Sequence, residues 1–129
     1  DGQFAVCEAG ALETEPKYDY VLATSVFHYF DLAYAQDVLD RMLKKAEKAV
    51  AVLDVPKLAM RDAAEALRRA SLSQEEYEEK YRGLMHTYYD PAWFEDQGRS
   101  YGHRCRIFDT RVSTHPQTQF RFNAILSAA

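Results

Sequence analysis

The chain has 129 residues, 47% of them hydrophobic, which supports one domain with a modest core and leaves little room for a second. Its formal charge of -4 and pI near 5.5 provide no basic field for a phosphate backbone, which speaks against a nucleic-acid partner. No apolar run approaches the length of a membrane span, so the expected partner is a small molecule or another protein and not a membrane.

At the amino end, Phe4-Ala-Val-Cys is a short apolar segment running to Glu8 and predicts a strand, and Pro16 breaks the loop over 10–17. Tyr20 to Ala23 is continuously apolar, the pattern of a strand buried on both faces at the centre of a parallel sheet. Asp31 is the expected N-cap of a helix in which Ala35, Val38, Leu39, Met42, Leu43 and Ala46 recur along one face. Lys44, Lys45 and Lys48 suit the negative end of its dipole. Ala49 to Leu53 is a further apolar strand ending at Asp54, so strand, helix and strand make a right-handed βαβ unit.

Residues 57–83 are helical and charged, with a break near Ser71 and a capping box from Ser73 and Glu76. Tyr77, Tyr81 and Leu84 share one face, while Glu76 with Lys80 and Glu78 with Arg82 are spaced for ion pairs on solvated flanks. Asp90-Pro91 predicts a helix start and Gly102 its end, with Trp93 and Phe94 turned inward. Strands are predicted over 103–110 and 120–127. The second alternates Phe120, Phe122, Ala124 and Leu126 against Arg121, Asn123 and Ile125. The segment between them, with His115-Pro116, is short enough only for an antiparallel return.

In an open α/β sheet, ligands bind in the crevice outside the carboxyl ends of the strands. That rule gathers Thr24, Ser25, His28, Tyr29 and Asp54 into one candidate site. Three tracts, Phe4-Ala-Val-Cys-Glu-Ala through Tyr18-Asp-Tyr-Val-Leu-Ala-Thr-Ser-Val-Phe-His-Tyr-Phe, Ala51-Val-Leu-Asp-Val-Pro, and Phe120-Arg-Phe-Asn-Ala-Ile-Leu, resemble the later part of a class I S-adenosylmethionine-dependent methyltransferase. The resemblance implies an α/β fold: a partial Rossmann-like sheet, mostly parallel with a terminal antiparallel hairpin, flanked by helices and spanning 1–129 as a single domain.

It further implies S-adenosylmethionine as cofactor, with Glu8 and Ala9 at the adenine and Thr24, Ser25 and Val26 at the methionine end. His28 and Tyr29 then face the methyl group and acceptor as catalytic candidates, and Asp54, His86, Tyr88 and Tyr89 are candidates for a small-molecule acceptor's pocket. Methyl transfer from a sulfonium needs little covalent help, since holding donor and acceptor in line supplies much of the rate. Each residue also has a plainer reading. His28 would be a satisfied histidine under a loop, His86, Tyr88 and Tyr89 packing aromatics, and Asp54 the cap of the following helix.

The family's glycine signature is missing, for no Gly-x-Gly occurs among Gly2, Gly10, Gly83, Gly98 and Gly102, and the chain begins at Asp1 rather than Met. The expectation is therefore the carboxyl-terminal part of a larger enzyme, inactive alone and binding cofactor weakly or not at all. Without the family's first two strands, the Tyr18 to Ala23 strand has a bare edge, through which a homo-oligomer such as a dimer is expected. A non-catalytic binding or assembly domain is the alternative, and a nucleotide-binding domain of another doubly wound family rests on fold analogy alone. Cys7 and Cys105 are too far apart for a disulfide framework and read as buried thiols of a reducing, cytoplasmic compartment. His28, His86, His103 and His115 lack metal-ligand spacing, and Ser25 lacks the glycine-flanked elbow of a serine hydrolase.

Overall fold

The computed structural model describes residues 2, 5–70, 72–80, 86–109 and 118–128. Strand β1 (Tyr18–Thr24) leads into helix α1 (Leu32–Lys45), whose N-cap Asp31 accepts a hydrogen bond from the Tyr34 N–H at 2.8 Å. Strand β2 (Ala46–Pro56) follows and pairs parallel to β1, from Tyr18 beside Ala46 to Thr24 beside Leu53. The predicted apolar stripe of α1 is buried as expected at Ala35, Val38, Leu39, Met42 and Leu43.

Helices α2 (Arg61–Arg69) and α3 (Gln74–Lys80) come next, and the Glu76 N–H donates to the Ser73 hydroxyl at 3.1 Å. Tyr81, Arg82 and Leu84 lie outside the described residues. Helix α4 (Pro91–Ser100) starts where Asp90 accepts from the Ala92 N–H at 2.9 Å and ends before Gly102, whose φ of +70° needs no Cβ. Strands β3 (His103–Asp109) and β4 (Arg121–Ala128) then complete a four-stranded sheet of order β1-β2-β4-β3.

Strands β1, β2 and β3 run in one direction, and β4, antiparallel to both β2 and β3, lies between them, so the sheet has the expected terminal antiparallel hairpin. The expected strand over 4–8 is a first correction. Its described part, Ala5 to Glu8, forms no strand, and Val6 is fully exposed. A strand is held by the ladder of a neighbour, and among the described residues none pairs with it. The chain instead enters a 3-10 turn, Ala9–Ala11, where the Gly10 N–H donates to the Tyr34 hydroxyl at 2.8 Å. Cys7, carried by this unpaired segment, is exposed rather than buried, and Cys105 is half-buried.

A second correction concerns β1, which is an edge strand and not the sheet centre. Its Tyr18, Tyr20 and Leu22 are 51%, 60% and 62% exposed. The central positions belong to β2 and β4. Accordingly β4 does not alternate between inside and outside, since Arg121 and Asn123 are buried along with Phe122 and Ala124.

The two sheet faces differ. Register puts Val21, Val50, Leu126 and Cys105 in one row, on the face covered by α1 and α4, where Leu39, Met42, Phe94 and Phe122 complete the core. The neighbouring row of Leu22, Ala51, Ile125 and Arg106 points the other way and stays partly or fully exposed. Sheets built on βαβ units ordinarily bury both faces.

Candidate functional site

The carboxyl ends of β1 and β2 lie side by side, and the residue after each registered pair takes a left-handed conformation. Ser25 has φ of 58° and Asp54 φ of 60°, both uncommon for residues with a Cβ. Asp54 sits in the bulge of β2 between Val52 and Val55, where the extra residue re-aims its side chain. The Ser25 N–H donates to the Leu53 carbonyl at 3.1 Å, and the Ser25 hydroxyl donates to Asp54 Oδ2 at 2.6 Å. Two turns that would otherwise be independent are thereby tied together.

Strand β4 supports this pair from below. The Asp54 N–H donates to Asn123 Oδ1 at 2.9 Å, and Arg121 Nη1 donates to the Asp54 carbonyl at 3.1 Å while lying 3.5 Å from its Oδ2. The Arg121 side chain is only 7% exposed. Burial pulls its pKa down, and the Asp54 carboxylate opposes that. Asp54 is therefore no helix cap: Lys57 precedes the next 3-10 turn, and α2 starts with no side-chain cap.

Beside the crevice, the 3-10 turn Phe27–Tyr29 holds His28 buried and Tyr29 exposed. The His28 ring lies 4.0 Å from that of Tyr29 and meets the His86 ring edge-on at 4.9 Å, centre to centre. Two hydrogen bonds join the two segments, since the Thr87 N–H donates to the His28 carbonyl at 2.8 Å and the Tyr89 hydroxyl donates to the Phe27 carbonyl at 2.8 Å. His28 Nδ1 is buried with no hydrogen-bond partner among the described residues. Burial, followed by the Arg121 guanidinium, lowers the His28 pKa to about 4; burial and then Arg68 bring His86 to about 4. Both imidazoles are neutral near pH 7.

Ser25 is thus bonded to Asp54 and His28 meets His86, with Thr24 and Val26 exposed on either side of Ser25. Tyr88 is buried, its hydroxyl accepting from Arg68 Nη1 at 3.0 Å. Tyr89 is 1% exposed and belongs to the core. Exposed Glu8 and half-buried Ala9 sit at the amino-terminal turn against α1, with no hydrogen bond to the crevice among the described residues. Sequence reasoning missed Arg121, Asn123 and Arg68. The available signal was a pair of polar residues, Arg121 and Asn123, interleaved with Phe120, Phe122 and Ala124 in an otherwise apolar strand.

No protein-family model matches the chain, and no curated protein matches it significantly. Solved structures do. Magnesium protoporphyrin IX methyltransferase (ChlM) from Synechocystis PCC 6803 with bound SAH superimposes with a TM-score of 0.64 at 15% identity, over 95% of this chain and 49% of that one. An O-methyltransferase family protein from Burkholderia thailandensis gives 0.57 at 13% identity, over 90% and 32%. The small RNA methyltransferase HEN1 gives 0.61 at 13%, over 95% and 15%. The chain spans about half or less of the length of each of these structures. Its α/β architecture, with a helix-flanked sheet joining a parallel pair to a terminal antiparallel hairpin, is that of the class I S-adenosylmethionine-dependent methyltransferase fold.

Proposed function

We propose that the chain is the carboxyl-terminal portion of an S-adenosylmethionine-dependent methyltransferase that, in its complete form, methylates a small-molecule acceptor. The observation that carries this reading is the bonded pair of left-handed residues, Ser25 and Asp54, at the carboxyl ends of two parallel strands with His28 beside them. Thr24, Ser25 and Val26 form a rim suited to the methionine end of the cofactor, and His28 with exposed Tyr29 faces the acceptor. A neutral His28 imidazole is able to accept or donate a hydrogen bond there, whereas its low pKa makes it a weak base. Tyr88 and His86 close the far side. The methyltransferases of similar fold include one named for small RNA, so the fold alone does not choose the acceptor. The net charge of -4 favours a small molecule.

The uncovered sheet face and the unpaired edge of β1 fit a chain whose upstream half supplies the missing layer, the glycine loop and the acid for the ribose hydroxyls. Calorimetric titration tests this. The 129-residue chain should bind S-adenosylmethionine no better than about 1 mM, roughly 4 kcal/mol, as expected of a half-built cradle. Adding the upstream half should tighten binding by more than about tenfold. Micromolar binding by the chain alone overturns the reading.

By itself, the chain should also self-associate, because exposed Tyr18, Tyr20 and Leu22 border a bare strand edge. Sedimentation velocity is expected to show a dimer or larger species that Leu22→Lys dissolves. A monomer at high concentration contradicts this.

A further inference from the structure

Two rows on the uncovered face of the sheet share one plan. Register sets Tyr20, Ala49, Ser127 and Arg104 side by side, with Leu22, Ala51, Ile125 and Arg106 in the next row. Each row therefore runs from a large exposed side chain on edge strand β1, over an alanine of β2, to an exposed arginine on edge strand β3. Beside Arg106, Phe108 is exposed and shares a concavity of about 440 Å3 with Asn123 and Ile125, and Asp109 at its rim is held by Lys57 at 2.7 Å. The chain carries a net charge of -4, yet neither Arg104 nor Arg106 joins an ion pair among the described residues, whereas Arg61, Arg99 and Arg121 do. An exposed apolar field with a charged rim is the mark of an interaction surface, and here the rim is cationic along one side.

We infer that this face docks an amphipathic helix whose apolar stripe covers Leu22, Ala51 and Ile125 and whose flank sets two acids against Arg104 and Arg106. The dimensions agree. Four strands at a spacing of about 4.8 Å measure about 14 Å from edge to edge, and a helix with its side chains is about 10–12 Å across, so one helix laid along β2 and β4 reaches both borders. Side chains two apart on β3 are separated by roughly 6.8 Å, and residues four apart on a helix by about 6 Å, so Glu or Asp at i and i+4 meets both guanidiniums. Each arginine fork then receives one carboxylate. Helices α1 and α4 already cover the opposite face, and a helix here completes the two-sided packing such sheets adopt. This docking surface rests on the reading above that an upstream half completes the sheet, and it specifies the chemistry that half presents.

The test uses the 129-residue chain and two synthetic peptides of about 18 residues, long enough to hold a helix, that share a leucine stripe and differ only in glutamate or lysine along one flank. Fluorescence anisotropy at low salt should show at least about fivefold tighter binding of the glutamate peptide. The net charge of -4 acts in the other direction, so this preference reports the local face. The double variant Arg104→Glu/Arg106→Glu should invert the order, a gain that misfolding does not imitate. Arg106→Gln, the milder change should the double variant not fold, is expected to cut the preference to about twofold. The amide resonances of Ala51 and Ile125 should move on binding. Equal or reversed affinities for the parent chain, shifts confined to the β1 edge, or an unchanged order in the double variant overturns the inference. Binding that survives a proline at the centre of the peptide overturns the helix, and displacement of the glutamate peptide by duplex RNA overturns the acidic partner. Cofactor affinity is measured separately, so loss of the glutamate preference while the upstream half still tightens cofactor binding sinks this inference alone.

Discussion

Phe94→Ala is expected to destabilise the protein by about 3–5 kcal/mol, the range for truncating a fully buried phenylalanine. The ring is 0% exposed and sits where α4 meets the sheet, with centroids of Phe27, Tyr89, Trp93 and Phe122 at 6.0, 5.5, 4.8 and 5.8 Å. Removing it empties the centre of an aromatic cluster whose members come from a 3-10 turn, a loop, a helix and a strand, so no single neighbour is able to fill the gap. A domain of this size holds only roughly 5–15 kcal/mol in total, and the variant should be close to unfolded at 37 °C. Urea denaturation followed by tryptophan fluorescence measures the loss. A midpoint equal to that of the parent would mean that α4 is not docked through this ring. Because Phe27 shares the cluster and its carbonyl accepts from Tyr89, the loss should also loosen the turn that carries His28.

The second large effect is on pH. His28 and His86 have folded pKa values of about 4 against an ordinary 6.5, with burial as the first cause in both. The unfolded chain therefore binds protons that the folded one refuses, and stability falls as pH drops through 6.5. The contribution is complete above that value, declines toward pH 4 and is constant below it. Between pH 7.5 and 5 each ring should cost about 2 kcal/mol, a loss that precedes most carboxylate protonation. Urea midpoints at the two pH values measure it. His86→Gln should remove about half of the difference, and a flat profile across this window would show that the two imidazoles are not buried neutral. Functionally, a folded crevice near pH 7 presents two uncharged rings, so any cationic character there comes from Arg121 and Arg68.

Local chemistry was legible from the residues alone. Asp31, Asp90 and Gly102 act through bonds and dihedrals within a few positions of themselves, so the helix ends they mark are written into the chain. The stripe from Ala35 to Leu43 and the antiparallel return of the last two strands follow from periodicity and connection length in the same way. Bringing Ser25 beside Asp54 needed only the rule that parallel strands end on one side.

What tertiary structure decided is which residues meet across long separations, since packing selects partners that spacing does not encode. Arg121 reaches Asp54 across 67 positions, and Tyr89 reaches Phe27 across 62. An apolar run such as Tyr20 to Ala23 records a preference for burial but not whether neighbours exist to supply it, and β1 consequently stands at an edge. The same holds in reverse for Arg121 and Asn123, polar residues that read as outward until β4 is seen to lie between two strands with Asp54 to satisfy them. Burial belongs to the whole sheet, whereas capping and periodicity belong to a few consecutive residues.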